Sequence, residues 1–254
     1  MNKSVVCASV LALGLAAFGA AQERREGQGK APAVPGPTPR LADGKVDFGG
    51  KGVWAPIWVL DWADKKYVEK AVDVPFTDWG LKVFQERRAN DSKDDPEGYC
   101  LPPGVPRYTG TPYPFEFLQL RDRVVILYEG ASHMYRQIFM DGRKHTAPDR
   151  LNPTWLGESI GSWEGNDTLV VDTVGFNGRT WLDYVGHPTS ENLHVVEKFR
   201  RPDYLTLQYE ATIEDSKTFS KPWKISMPLY RHVEPNAQLL EYKCPEFAEE
   251  VLYG

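Results

Sequence analysis

Cysteine is scarce in this chain, with only Cys7, Cys100 and Cys244 among 254 residues. No two of them form a C-x-x-C pair, so the sequence indicates neither a thioredoxin-like redox site nor a zinc knuckle. After residue 21 no apolar run approaches the ~20 residues that cross a bilayer. The net charge is −5 and no basic patch is present, which argues against nucleic acid as a partner. These absences favour a protein whose partner is a small molecule.

The common catalytic motifs are missing as well. There is no P-loop, no dinucleotide-binding fingerprint and no G-x-S-x-G nucleophile elbow. The histidines are scattered, without H-x-H or H-E-x-x-H spacing. They are His133, His145, His187, His194 and His232. We therefore expect neither an organic cofactor nor a bound metal.

The first residues have the composition of a secretory signal peptide. Lys3 supplies a short positive region, residues 5–17 are small and apolar, and residues 19–21 offer a cleavage site. A membrane anchor is the alternative, but the apolar run is short for one. Residues 22–40 are rich in proline, glycine and charge, which predicts a disordered linker. The folded domain is then residues 41–254, located in the periplasm or outside the cell.

Removal of a signal peptide leaves two cysteines, Cys100 and Cys244. Because an exported protein meets an oxidising environment, this even pair predicts a disulfide. The bond would join the start of the folded domain to its C-terminal end. In the chain-entropy model a loop of this length gains on the order of 5 kcal/mol. Two buried free thiols are the alternative.

Short strand-like runs separated by local turns dominate the rest of the chain. This pattern predicts an all-β fold, an antiparallel up-and-down barrel with one short helix and long loops. The helix is expected at Pro75–Asn90, where Thr77 can cap it. The long loops are expected at Arg143–Glu158 and Asn177–Leu193, and loops on a rigid barrel are where binding residues usually lie.

Turn sequences predict hairpins between most successive strands, including those around Arg121-Asp122, Gly165-Asn166-Asp167 and Pro202-Asp203. Two more are predicted as follows. Asp141-Gly142 follows the strand Tyr135–Met140 and is a strong two-residue turn signal. Near the C-terminus, Pro235-Asn236 separates a strand at Trp223–Leu229 from another at Gln238–Tyr242.

Charged side chains alternate in step with apolar ones in the middle third of the chain. Arg136 shares a strand face with Ile138, and Glu197 shares one with Val195. Asp172 is in step with neighbouring valines and is a third candidate. Because a lone inward charge is costly, such groups pair with each other or serve a site. Arg136 could bind a carboxylate, a phosphate or sugar hydroxyls. A structural pair of Arg136 with Glu197 or Asp172 is the alternative.

A second cluster lies in the loop at Asn177–Leu193. Asp183 and His187 are four residues apart, so on a turn of helix the carboxylate could orient the imidazole for proton transfer. Trp181 and Tyr184 could form a stacking wall for a substrate. A polar surface loop with two aromatic side chains tucked into the core is the alternative.

His133 and Tyr135 complete the candidate residues. His133 stands at the entrance of a strand, where a histidine could act as a general base near neutral pH. A hydrogen-bonded or solvated histidine at the rim is the alternative. Tyr135 is a second candidate wall of the substrate site.

Several longer stretches are distinctive: Arg40–Lys45, Asp94–Arg107, Tyr135–Arg143, Gly161–Val171, Gly175–Asn177 and Trp181–Pro188. Together they resemble a widespread family of secreted bacterial proteins of unassigned function. This resemblance implies an exported β-rich domain and no particular activity. Separately, the strand opening Gly52-Val53-Trp54 resembles that of lipocalin-like barrels, in which the tryptophan closes one end. That resemblance implies a ligand cavity.

Three functions remain open on the sequence. The first is a cofactor-independent enzyme of lyase, isomerase or hydrolase type that acts on a small oxygen-rich or aromatic substrate. In it His133 and His187 exchange protons, Asp183 orients His187, and Arg136 stabilises negative charge. The second is a non-catalytic carrier or sensor with Arg136 and Glu197 as polar anchors. The third is a structural envelope protein. Neither the substrate nor the oligomeric state follows from the sequence.

Overall fold

The computed structural model describes residues 36–130, 134–242 and 244. Nine strands close into a barrel in which every strand pairs with its neighbours in sequence, and this confirms the predicted all-β barrel. The strands are β1 (Val53–Ala55), β2 (Phe115–Gln119), β3 (Arg123–Tyr128), β4 (Tyr135–Phe139), β5 (Glu158–Glu164), β6 (Thr168–Val174), β7 (His194–Arg200), β8 (Thr206–Glu214) and β9 (Trp223–His232). In the described part of the chain, no helix has the length and apolar character needed to cross a membrane. The predicted signal peptide and most of the predicted linker lie outside the described residues.

One strand pairing differs from the predicted antiparallel order. β4 and β5 run parallel and are joined by only two residue pairs, Ile138 with Ser159 and Phe139 with Ile160. The predicted hairpin at Asp141-Gly142 is therefore wrong. Gly142 does adopt a positive φ of 77°, but the chain then leaves the sheet for residues 143–157 and returns beside β4. Parallel neighbours need such a crossover connection.

The predicted final strand at Gln238–Tyr242 is also wrong, because those residues form no strand. β9 already pairs with β8 on one edge and with β1 on the other, so it has no free edge to offer. The segment instead contacts the chain just before β2 and just after β3. The backbone N–H of Leu240 donates to the Glu129 carboxylate at 2.7 Å, and the Tyr113 and Tyr242 rings lie 4.8 Å apart.

The barrel interior is filled by side chains that alternate along each strand. In β7 and β8 every second residue is buried. The ring centroids of Phe117 on β2 and Phe199 on β7 are 5.5 Å apart. These strands are not neighbours, so this contact crosses the interior. Burial of apolar side chains in this way is the main favourable contribution to folding.

Trp54 lies in β1, the first strand of the barrel, and is 1 % exposed. Its indole N–H donates to the Phe48 carbonyl at 2.8 Å. The guanidinium groups of Arg201 and Arg231 lie 4.9 and 5.2 Å from its ring, which is within cation–π range. Gly52 has a φ of 91°, and a side chain there would meet the His232 carbonyl. The tryptophan of the Gly-x-Trp opening is thus buried and flanked by two arginines, and the resemblance to lipocalin-like barrels stays a prediction.

Among the described residues there is one α-helix, α1, which spans Asp78–Ala89 and confirms the predicted helix. The Thr77 hydroxyl caps it by accepting a hydrogen bond from the Gly80 N–H at 3.1 Å. Gly80 is buried where the helix meets the segment before β9. A Cβ at this position would lie 2.2 Å from the Thr218 carbonyl oxygen, so only glycine allows this close approach.

Gly80→Ala is expected to lower the free energy of unfolding by about 1–3 kcal/mol, because the added methyl group forces the helix away from the barrel. Helix propensity alone predicts the opposite, a gain of about 1 kcal/mol. Urea unfolding followed by tryptophan fluorescence distinguishes the two. Gly98→Ala is the matched control, because a Cβ there meets nothing within 4 Å and stability should change little. A more stable Gly80→Ala variant would contradict the packing argument.

Cys100 and Cys244 form a disulfide with a Cα–Cα distance of 5.8 Å, and this confirms the predicted pairing. The bond fastens the proline-rich segment before β2 to the chain beyond β9. It is consistent with an oxidising compartment.

Candidate functional site

Arg136 points into the barrel from β4 and is 2 % exposed. Its Nε donates to Ser159 Oγ at 3.0 Å, and its Nη2 donates to Thr173 Oγ1 at 2.8 Å and to Glu197 Oε2 at 2.5 Å. Glu197 is fully buried, and its other oxygen accepts the Tyr209 hydroxyl at 2.9 Å. The network joins β4 to β8 across the interior. Arg136 and Glu197 therefore face inward, as their alternation predicts, and each is the other's partner.

The surroundings of Arg136 and Tyr209 determine their protonation. Burial by itself lowers the pKa of Arg136, but the charge of Glu197 more than offsets this and the pKa lies above its ordinary value. Burial and the same carboxylate raise the pKa of Tyr209 well above its ordinary value. Tyr209 therefore remains a hydrogen-bond donor, and the guanidinium remains positive opposite a carboxylate. This is the structural pair that the sequence left open as an alternative.

Asp172 does not face inward, and that expectation is wrong. Its side chain is 47 % exposed on the outer face of β6 and accepts from His194 Nε2 at 2.8 Å. The inward residues of β6 are Leu169, Val171 and Thr173. Both faces of this strand carry valines, so alternation alone does not decide which face is buried.

Asp183 and His187 meet in the long connection between β6 and β7. They are 0 % and 2 % exposed, and His187 Nδ1 lies 2.5 Å from Asp183 Oδ2. The connection turns back on itself through a bridge between Trp181 and Pro188 and a hydrogen bond from the Leu182 N–H to the His187 carbonyl. The two side chains are therefore brought together by a tight turn instead of the expected helical turn. Asp183 and His187 are thus buried, and so is Trp181 at 5 % exposed.

The Asp183 carboxylate is saturated with donors. The backbone N–H groups of Gly186 and His187 donate to Oδ1 at 3.1 Å each, and that of Trp62 donates to Oδ2 at 3.0 Å. Burial by itself raises the pKa of Asp183, but the charge of His187 and these hydrogen bonds outweigh it, so the pKa lies below its ordinary value. An ionised carboxylate only accepts hydrogen bonds, so Nδ1 of His187 carries the proton between them.

Aromatic rings hold the imidazole in place. The Phe84 ring, from α1, stacks on the His187 ring at 4.5 Å with an interplanar angle of 15°. Phe76 lies nearly parallel to it at 5.6 Å, and Trp223 lies at 6.2 Å. The helix therefore covers the Asp183–His187 pair, which we call the buried dyad.

The lowered pKa of Asp183 predicts a sensitivity to acid. A carboxyl group with a folded pKa below its unfolded value, near 3.8, contributes stability above that value and loses it as the pH falls through the folded pKa. Asp183→Asn is thus expected to be less stable at neutral pH and to lose less stability on acidification. Urea unfolding between about pH 2 and 7 measures this. Asp149→Asn, at an exposed position, is the control. Parallel pH profiles for the Asp183 variant and the unmodified protein would contradict the argument.

The predicted aromatic walls lie in three different places. Trp181 is 5 % exposed, lies 4.1 Å from the Arg87 guanidinium and lines a cavity of about 490 Å³ together with Ser92. Tyr184 faces the Arg107 guanidinium at 4.2 Å. Tyr135 is 59 % exposed on β4. Of the three, only Trp181 and Tyr184 share a loop with the buried dyad.

A second buried ionic cluster, around Arg107, is not predicted by any pattern in the sequence. Arg107 is 2 % exposed, and its Nη2 lies 2.6 Å from Asp95 Oδ2 and 2.7 Å from Glu97 Oε2. Burial raises the pKa of Glu97 in spite of this cation. These residues lie in proline-rich coil without periodicity. The only local signal was Asp95 before Pro96, which caps a short 3-10 helix.

Not all predicted site residues come together. His133 lies outside the described residues. No hydrogen bond, ion pair or ring contact within the described ranges joins the Arg136–Glu197 pair to the buried dyad. The convergence of His133, His187 and Arg136 on one pocket therefore stays a prediction.

One set of residues has the composition of a cation site. Single ligand atoms of Asp61, Asp183 and His187 lie within 4.8 Å of one another, and Asp61 Oδ1 is 4.0 Å from His187 Nδ1. A metal there would have to replace the proton between Nδ1 and Oδ2, while the Asp183 oxygens already accept three backbone N–H groups. The Asp183 carboxylate therefore has its hydrogen-bond partners without an ion. The predicted absence of a metal stays a prediction.

Comparison with known proteins adds no identity. No family model, no curated protein and no solved structure matches this chain. The closed barrel is compatible with the lipocalin-like resemblance, and the resemblance to secreted bacterial proteins stays a prediction.

Proposed function

We propose that the chain is a secreted enzyme, periplasmic or extracellular, that uses the buried dyad for acid–base chemistry without a cofactor. The observation that carries the proposal is the 2.5 Å contact between His187 Nδ1 and the fully buried Asp183. A buried carboxylate that accepts the proton of Nδ1 makes Nε2 the ring nitrogen that would exchange a proton with a substrate, which is the arrangement of a general base. The reaction type is that of a lyase, an isomerase or a hydrolase.

The surroundings of the dyad support this role. The lowered pKa of Asp183 keeps it negative, so it stabilises the imidazolium that forms when Nε2 takes up a proton. Stacking on Phe84 fixes the plane of the ring. Pre-set orientation of this kind is what proton transfer between a side chain and a bound substrate requires.

A cavity beside the dyad's loop could hold the substrate. Arg87 donates to the carbonyl of Gly186, next to His187, at 3.3 Å and lines the cavity of about 490 Å³ with Trp181. Burial lowers the pKa of Arg87 to about 10, so it stays positive at neutral pH. A ring wall and a cation suit a small substrate that is aromatic or rich in oxygen.

Arg136 has no part in this proposal, because Glu197 already neutralises it. A carrier would need a deep apolar cavity along the barrel axis. The Phe117–Phe199 contact and the Arg136–Glu197 pair occupy the interior where they cross it, and this favours the enzyme over the carrier.

The test is turnover by the full chain against a panel of sugars, phenolic compounds and short acids, scored for elimination, isomerisation and hydrolysis. With a substrate in hand, His187→Gln and Asp183→Asn are expected to lower kcat by about 10²–10⁴-fold. His194→Gln is the matched control, because this histidine lies on the outer face with a side chain 32 % exposed. Unchanged turnover in His187→Gln would remove the proposal.

A further inference from the structure

Helix α1 covers the buried dyad. His187 is only 2 % exposed, and the ring that stacks on its imidazole belongs to Phe84, in the second half of the helix. Proton transfer requires the two heavy atoms to lie within about 2.6–3.2 Å of each other. A substrate of the proposed enzyme therefore cannot reach the imidazole while the helix stays in this position.

The start of the helix is fixed to the chain before β9. The Thr77 backbone N–H donates to the Thr218 carbonyl at 2.9 Å, and the Thr77 hydroxyl donates to the Lys217 carbonyl at 2.7 Å. Just before the helix, Phe76 forms a β-bridge with Phe219. This end of α1 can serve as a pivot, because these bonds hold it in place.

The second half of α1, residues 83–89, is held by few contacts. None of its residues is fully buried. Within the described ranges, its one hydrogen bond to the dyad's loop runs from Arg87 to the Gly186 carbonyl at 3.3 Å. The cavity of about 490 Å³ is lined by Val83 and Arg87 of this half together with Trp181 of the loop, so the two surfaces do not pack fully. Segments with few buried contacts open locally at a low cost in free energy.

The chain leaves the helix through two residues in an uncommon conformation. Asp91 and Ser92 have φ angles of 51° and 53°, in the left-handed region that residues other than glycine rarely occupy in succession. A few residues further on, Asp95 is fastened to the buried guanidinium of Arg107. Hinges are a few residues at the ends of elements that absorb a change in φ and ψ, and strained positions are common in segments that move.

We propose that the second half of α1 is a lid, which swings between the fixed start of the helix and the strained exit at residues 91–92 and so uncovers His187. The swing keeps the hydrogen bonds within the helix and breaks the Phe84 stacking and the Arg87 contacts. It joins the cavity beside the loop to the dyad. The purpose of the motion, admission of a substrate, rests on the proposed function, whereas the motion itself does not.

The test is the rate at which diethyl pyrocarbonate modifies His187 in the full chain at neutral pH, resolved by mass spectrometry of peptides. His194, on the outer face with a side chain 32 % exposed, is the reference in the same sample. His187 is expected to react, at least about tenfold more slowly than His194. Its rate should change less than about twofold between 0 and 1 M urea, because a local swing exposes little surface. Exposure by global unfolding would raise the rate about tenfold or more over that range.

A variant at the pivot makes the test decisive. Gly80→Ala places a methyl group against the Thr218 carbonyl, so it should loosen the helix and raise the His187 rate about tenfold without contacting the imidazole. Gly98→Ala is the matched control and should leave the rate unchanged, because a Cβ there meets nothing within 4 Å.

The proposal is overturned if His187 does not react in the native protein or reacts as fast as His194. It is also overturned if 1 M urea raises the rate tenfold, or if Gly80→Ala has no effect. Turnover enters none of these measurements. The lid can therefore fail while the dyad proves catalytic, or be confirmed while the dyad proves inactive.

Discussion

Glu197→Gln is expected to lower the free energy of unfolding by about 3–5 kcal/mol. The substitution keeps the size of the side chain and an acceptor for Arg136, but it removes the only carboxylate bonded to that guanidinium among the described residues. Arg136 is then a buried cation without a counter-charge, which is far more costly than the loss of one hydrogen bond. Urea unfolding followed by circular dichroism measures the change.

Two comparisons isolate the cause. Glu210→Gln removes a carboxylate from the neighbouring strand, where it pairs with Lys224 at 3.1 Å and both side chains are exposed; it should cost less than about 1 kcal/mol. The double variant Arg136→Met, Glu197→Leu should recover most of the loss, since no charge is left unpaired. Equal effects of Glu197→Gln and Glu210→Gln would show that burial of the ion pair is not what matters.

Opening the Cys100–Cys244 disulfide is expected to cost about 4–5 kcal/mol. The two cysteines are 144 residues apart, so the bond removes a large loop-closure entropy from the unfolded chain. Most of the barrel lies within this loop, so the reduced protein should unfold at a clearly lower urea concentration.

The measurement compares unfolding with and without a reducing agent. Cys100→Ser with Cys244→Ser should match the reduced protein, and adding reductant to this double variant should change nothing, which controls for effects of the reductant itself. If the oxidised and reduced proteins had the same unfolding midpoint, the entropic argument would not hold for this chain.

Alternation predicted the orientation of Arg136 and Glu197 because the two faces of their strands differ clearly. Tyr135 is exposed and Ile138 is buried on β4, so the inward face is unambiguous. On β6 the same reasoning failed for Asp172, because apolar residues line both faces. Period-two patterns decide orientation only where one face is distinctly polar.

The buried dyad was predicted from spacing, but its burial was not. The cover comes from Phe84 on α1 and from Trp62, which is about 120 residues away from Asp183 in sequence. Contacts at such separations leave no local trace in a single sequence. The mistaken strand at Gln238–Tyr242 has the same origin, since only the closed ring shows that no edge is free to receive it.

The count of strands has one further consequence. Going once around a closed barrel, strand direction reverses at each antiparallel contact. The direction must be the same again at the starting strand, so the number of antiparallel contacts is even. Nine strands make nine contacts, and at least one of them has to be parallel. The chain places that unavoidable contact between β4 and β5 and keeps it two residue pairs long. A relative with one strand more or one fewer could close with antiparallel contacts alone. Its topology would not require a parallel pair of strands.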